Sequence, residues 1–248
     1  MNLSITGSLG SGKSSVCREL KAMGYEIISG GDIFRSIAAE KGVSVVELNE
    51  MAKLDRSIDD MIDNRTTRLG MEKDNVVFDS RIAWNFLKDS FNVFIYVDVN
   101  EAARRIFNDD QRKSETYASV EECRESVVLR QNLEMERFKD LYNIDYYDVN
   151  NYNLVIDSTN ATPKEVAEAI IEYFKRYQQE KFDNVMLIGS RSLAAPSVSD
   201  KVTLAVRDGR ICVEAGYEKV INAVENKETF VQCEMKKTEN GGCMLHKN

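Results

Sequence analysis

Proline and positive charge are both scarce in this chain. Only two of its 248 residues are proline, which argues against long flexible linkers. Lysine and arginine number 33 against 41 aspartates and glutamates, for a net charge of −8. Such a balance argues against a protein that coats nucleic acid or an anionic membrane surface. No apolar run approaches membrane-spanning length, and the amino terminus enters a strand-like segment at once without a basic region. Neither a signal peptide nor a membrane span is expected, and a cytoplasmic location follows. The five cysteines (Cys17, Cys123, Cys212, Cys233 and Cys243) are odd in number, scattered and without C-x-x-C spacing. That is the usage of a reducing compartment rather than of a disulfide frame. Cys243 and His246 pair two metal-ligand types, but the polar tail around them supplies no partners for a site.

What is present is a 43% hydrophobic composition, enough for a real core in one large domain or one domain with an appendage. Near the start, Ser4-Ile5-Thr6-Gly7-Ser8-Leu9-Gly10-Ser11-Gly12-Lys13-Ser14-Ser15 fits G-x-x-x-x-G-K-[ST]. Leu3-Ser4-Ile5 reads as a buried strand entering the loop, and Ser14 to Met23 as the helix leaving it. Glycines let successive N–H groups turn inward, and the helix N-terminus adds its positive end. The loop (Gly7, Gly10, Ser11, Gly12, Lys13, Ser14, Ser15) should therefore cradle the phosphates of ATP. Lys13 should reach the β/γ-phosphate oxygens, and the Ser14 hydroxyl should ligate Mg²⁺.

Further along, apolar runs alternate with helical patterns. Strands are expected at Tyr25–Ser29, Asn75–Asp79, Asn92–Val97 and Asn153–Asp157. Helices are expected at Ile33–Lys41 behind an Asp32 N-cap, to about Lys53 behind a Ser44/Glu47 capping box, and over Ser57–Lys73, Asn100–Phe107, Val120–Leu141 and Pro163–Lys181. Short strands apolar on both faces alternating with helices indicate an α/β fold, a five-stranded parallel sheet with helices on both faces. Residues 1–180 form this expected domain. A small α+β module is expected over 182–235, with an Asp208-Gly209 hairpin, and a disordered tail over 236–248.

Ligands of such sheets sit at the carboxyl ends of the strands, which places Ser29–Arg35 and Asp79–Arg81 beside the phosphate loop. A planar guanidinium matches phosphate oxygens, so Arg35 and Arg81 are candidate clamps for an acceptor phosphate. Asp79 could orient a Mg²⁺-bound water or pair with Arg81. A second group, including Arg105, Arg112, Arg130 and Arg137, could close over the transferring phosphoryl group. Such transfer needs alignment and charge balance more than covalent chemistry. The bland alternative for Arg130 and Arg137 is an ion-pair ladder with Glu134 on one helix face.

At these residues the chain resembles the nucleoside monophosphate kinases. The acceptor-side run is Ile28-Ser29-Gly30-Gly31-Asp32-Ile33-Phe34-Arg35. Val76-Val77-Phe78-Asp79-Ser80-Arg81-Ile82-Ala83, and Arg130-x-x-x-Glu134-x-x-Arg137-Phe138 with Tyr142-Asn143-Ile144-Asp145, resemble the archaeal-type cytidylate kinases in particular. The likeness covers about residues 1–177. It implies ATP- and Mg²⁺-dependent phosphorylation of CMP or dCMP. Ser29, Asp32, Arg35, Asp79 and Arg81 would then serve the acceptor, and Lys13, Arg105, Arg130 and Arg137 the transfer. Leu133 and Phe138 stand where that family usually has serine and tyrosine. Residues 208–219 weakly resemble the ParB/sulfiredoxin-like fold. Two alternatives stay open: another small-molecule kinase, acting on a different nucleoside monophosphate or on dephospho-coenzyme A, and a nucleotide-sensing switch acting through the carboxyl-terminal module. Cytosine choice is expected from polar groups between Asp32 and Lys73. Nothing in the chain defines an oligomer, and a monomer is the expectation.

Overall fold

The computed structural model describes residues 1–109, 116–182, 185–189, 202–207, 210–226 and 228–235. Arg112, the Asp208-Gly209 turn, Cys243, His246 and the tail 236–248 lie outside them.

The first strand, β1 (Asn2–Gly7), is buried at every position and forms the axis of the sheet. It is flanked in parallel by β3 (Val76–Asp79) and β4 (Ser90–Tyr96), with β2 (Glu26–Ser29) beyond β3 and β5 (Leu154–Asp157) beyond β4. The chain runs from β1 out to β2, returns to β3 between them, then crosses to β4 on the other side of β1. The carboxyl end of β1 is therefore a topological switch point, where a crevice opens above the sheet.

The helices cover both faces. On β4, alternate side chains take opposite sides, as a period of two requires. Phe91, Val93 and Ile95 join Val16 and Leu20 of α1 (Lys13–Ala22) and Val166, Ile170 and Phe174 of α7 (Pro163–Gln179). Phe94 and Tyr96 face a second cluster rich in tyrosine, with Tyr146, Tyr147 and Tyr152. α2 (Gly30–Lys41), α3 (Val45–Leu54) and α4 (Ser57–Glu72) pack together through Ile33, Ile37, Leu48 and Ile58. α5 (Val99–Phe107) lies against the long α6 (Val120–Tyr142) through Ala102, Ala103, Ile106, Cys123 and Val127.

The five parallel strands stand as expected, but the sheet does not end with them. β6 (Val185–Gly189) continues it in parallel from β5, and β9 (Phe230–Met235) pairs antiparallel with β6. β7 (Thr203–Arg207) and β8 (Arg210–Ala215) complete the order β2-β3-β1-β4-β5-β6-β9-β7-β8, with α8 (Tyr217–Glu225) before β9. The physical reason is the edge that β5 would otherwise present. Met186, Leu187 and Ile188 are buried, so β6 satisfies both the backbone groups and an apolar surface there.

Candidate active site

Between β1 and α1 the loop turns on a left-handed Gly12, φ 80°, a conformation that a β-carbon would strain. At Gly7 the constraint is space, because an added β-carbon would lie 2.7 Å from Ser11 Oγ and 2.8 Å from the Ile95 carbonyl oxygen. With a glycine as N-cap, α1 presents its first N–H groups without side-chain competition, the arrangement that receives an anion. The loop lines a cleft of about 1180 Å³, joined by Ser29, Gly30, Gly31, Asp79, Ser80, Arg81 and Arg105. The sequence-predicted residues of three strand ends thus converge on one opening.

Lys13 forms an ion pair with Asp79 Oδ1 at the end of β3. Burial lowers its pKa to about 8, with the nearby Arg81 charge adding to the effect. Asp79 therefore pairs with the loop lysine and not with Arg81. Arg81 instead donates through Nη1 to the Gly7 carbonyl at 2.7 Å and through Nε to both Glu134 oxygens at 3.0 Å. Burial opposes its charge, and the Glu134 carboxylate more than offsets this. Glu134 also accepts from the Tyr146 hydroxyl at 2.8 Å, and burial pushes the Tyr146 pKa far up, so the phenol stays a donor. The Thr6 hydroxyl lies 2.9 Å from the Arg81 carbonyl oxygen, tying β1 to the same turn.

On the opposite wall, Arg105 donates to the carbonyl oxygens of Ser158 and Thr159 at 2.7 and 3.0 Å and to Glu101 at 3.1 Å. Its Nη1 would lie 3.8 Å from a β-carbon on Gly12, so it is held against the phosphate loop. The Ser158 hydroxyl in turn lies 2.9 Å from the carbonyl oxygen of Ser11.

On the acceptor side, Asp32 is not the N-cap. Ser29 is, and Asp32 is the third helical residue of a capping box, because Gly30 and Gly31 are already helical. The Asp32 carboxylate accepts from Ser29 and, at 2.7 Å, from Arg35 Nη2. These bonds, Ser29 first and Arg35 next, hold its pKa below the usual value. Arg35 is 61% exposed. It lines neither the cleft nor the cavity that adjoins it, but its Nη1 is 3.2 Å from where a β-carbon on the cleft-lining Gly31 would lie.

A second cavity of about 1040 Å³ shares Gly30, Ser80 and Arg81 with the first and runs between α3, α4 and the end of α6. Phe34, Phe86, Phe138 and Tyr142 are among its walls, and Asp59, Asp63 and Arg137 are among its charged groups, with Glu50, Lys53, Asp55, Arg56, Arg81 and Asp140 also in the lining. Arg137 is paired with Asp59 at 2.9 Å and lines this cavity rather than the phosphate cleft. Arg130 lines neither. The ladder with Glu134 is not the arrangement of Arg137, since Glu134 turns inward to Arg81 and Tyr146.

Sequence reasoning missed Ser158, Glu101, Asp63 and Tyr146. The Asp157-Ser158-Thr159 strand end carried the signal for Ser158, since polar residues leaving a buried strand mark the ligand rim. The others are helix- or loop-borne polar residues whose partners are distant in the chain.

A glycine loop between strand and helix, at the switch point of a parallel sheet, defines a P-loop nucleotide-binding fold. Comparison with known proteins agrees. Residues 2–160 match the cytidylate kinase-like family. A cytidylate kinase of Haloquadratum walsbyi is 32% identical over 181 residues, covering 72% of this chain and 91% of that protein. One of Methanococcoides burtonii is 34% identical over 160 residues, covering 64% and 88%. An S-adenosylmethionine-dependent nucleotide dehydratase of Lacinutrix mariniflava is 31% identical over 177 residues, 70% of this chain but only 36% of that protein. A crystal structure of an uncharacterized protein from Eubacterium ventriosum shares the fold with a TM-score of 0.54 at 14% identity, covering 71% of this chain and 98% of that one. The chain belongs to the cytidylate kinase-like family and is a nucleoside monophosphate kinase.

Proposed function

We propose that the protein transfers the γ-phosphoryl group of ATP to CMP or dCMP, with Mg²⁺. The observation that carries this reading is the meeting of two cavities at Gly30, Ser80 and Arg81. One contains the phosphate loop. The other has the aromatic walls and polar groups that a nucleoside requires. A monophosphate seated in the second would present its oxygens toward the first, end to end with the triphosphate, the alignment that phosphoryl transfer needs.

In this reading Lys13 and the loop N–H groups hold the ATP phosphates, and Arg35 and Arg81 hold the acceptor phosphate. Arg81 makes no hydrogen bond through Nη2 among the described residues, which leaves that nitrogen for the anion. Arg105 supplies charge from the far wall. The Ser14 hydroxyl and the Asp79 carboxylate are hard oxygen donors of the kind Mg²⁺ takes, alongside water and phosphate oxygens. When bound, Mg²⁺ offsets the charge on the phosphate oxygens. A cytoplasmic, monomeric enzyme is part of the proposal; among the described residues no helix is long and apolar enough to cross a membrane. Residues 182–235 are proposed as a carboxyl-terminal module built onto the kinase sheet.

The test is ATP consumption with each ribo- and deoxyribonucleoside monophosphate in turn. CMP and dCMP should be turned over in preference to the others. Turnover with dephospho-coenzyme A alone, or with no acceptor at all, would end the proposal.

A further inference from the structure

Asp63 lies on α4 and lines the second cavity. Its Oδ2 accepts from the Tyr142 hydroxyl at 2.9 Å, a contact between residues 79 apart in the chain. Oδ1 takes no hydrogen bond among the described residues. One helical turn earlier, Asp59 accepts from Arg137 Nη2 at 2.9 Å, so a carboxylate acceptor and guanidinium donors lie on neighbouring turns of one wall. Both are set among aromatic residues, Phe34 and Phe138 included.

We infer that Asp63 reads the base of the acceptor nucleotide, accepting from the exocyclic amine of cytosine while Arg137 donates to the ring acceptors beside it. This rests on the acceptor-site reading above and names its specificity-determining residue. Cytosine offers an amine donor next to ring-nitrogen and carbonyl acceptors, whereas uracil offers a carbonyl where the amine would be. A carboxylate facing that carbonyl leaves two acceptors opposed and desolvated, and so rejects uracil. The Tyr142 hydroxyl fixes the orientation of Asp63 by occupying one oxygen. Adenine carries the same amine–nitrogen pair, so the informative comparison is cytosine against uracil.

The experiment is steady-state kinetics of the full chain and of Asp63→Asn with CMP and with UMP at saturating ATP. The amide of the variant can donate to a carbonyl. The CMP kcat/KM should therefore fall on the order of tenfold to a hundredfold, while the UMP value holds or rises. The KM for ATP should be unchanged. An Asp63→Asn enzyme that keeps the parent CMP-to-UMP ratio overturns the assignment and leaves the kinase reading standing. A parent enzyme that phosphorylates no nucleoside monophosphate overturns both. Should the asparagine variant fail to fold, Asp63→Ala carries the same comparison, with loss of the preference expected and its retention decisive against the assignment.

Discussion

Arg81, on the turn after β3, and Glu134, on α6, are bound to each other through Nε and both carboxylate oxygens although 53 residues separate them in the chain. Arg81 also grips the carbonyl of Gly7. The pair joins the long helix directly to the mouth of the phosphate loop, and it does so with both side chains largely buried. Replacing Glu134 by alanine leaves a buried guanidinium without its counter-charge. The expected loss is roughly 2 kcal/mol of folding stability, read from urea denaturation. Glu134→Gln, which keeps an acceptor, should lose less.

Lys13 gives a pH-dependent signature. An ordinary lysine ionises near 10.5, and burial here lowers the value to about 8. The folded state therefore releases this proton before the unfolded state does. The penalty for burying the charge is fully present below pH 8 and fades as pH rises from 8 to 10.5. Bound polyphosphate favours the ammonium. ATP binding should thus take up a proton above pH 8 and none well below it. Calorimetry in buffers of different ionisation enthalpy measures this, and Lys13→Met should abolish it.

Arg35 is more than half exposed and, among the described residues, paired with its helix neighbour Asp32, so its removal should leave the fold within about 0.5 kcal/mol of the parent. In the acceptor role, Arg35→Ala should nonetheless lower kcat/KM for CMP by roughly 3 kcal/mol of transition-state stabilisation. A variant that turned over CMP like the parent would remove Arg35 from the acceptor site.

Asp63 should be retained at the expense of stability. Burial raises its pKa from 3.8 to about 6, reinforced by Asp59 and Asp60 and opposed by the Tyr142 hydrogen bond and Arg56. A raised carboxylate pKa means that stability falls as pH climbs from 3.8 to 6, and the penalty is complete above pH 6. Asp63→Asn should therefore melt at or above the parent temperature at pH 8, and the gap should narrow toward pH 4. A melting temperature well below the parent at pH 8 would show that Asp63 supports the fold instead.

Much of this was legible in the chain. The phosphate loop is a local object: Gly7, Gly12, Lys13 and Ser14 sit within one turn of backbone, and glycine geometry alone dictates its curl. The same holds for β1, β3, β4 and β5, whose apolar runs announce burial, and for the Ser44/Glu47 capping box, whereas β2 at the sheet edge is exposed or half-buried along its length. The cap of α2 was misread because Ser29 and Asp32 are both good caps. Only the helical conformation of Gly30 and Gly31, which glycine does not signal, decides between them.

Other features belong to the tertiary structure alone. Arg35, Arg81 and Arg137 are equivalent as letters, yet one is exposed and paired with Asp32, one binds Glu134 and Gly7, and one is paired with Asp59 in the wall of the second cavity. That β6 extends the sheet from β5 follows from the backbone edge and apolar face that β5 would otherwise leave uncovered. Local chemistry depends on neighbours in the chain and is written there. Which distant charges share a desolvated space depends on how helices and sheet pack, and no spacing in the sequence encodes that distance.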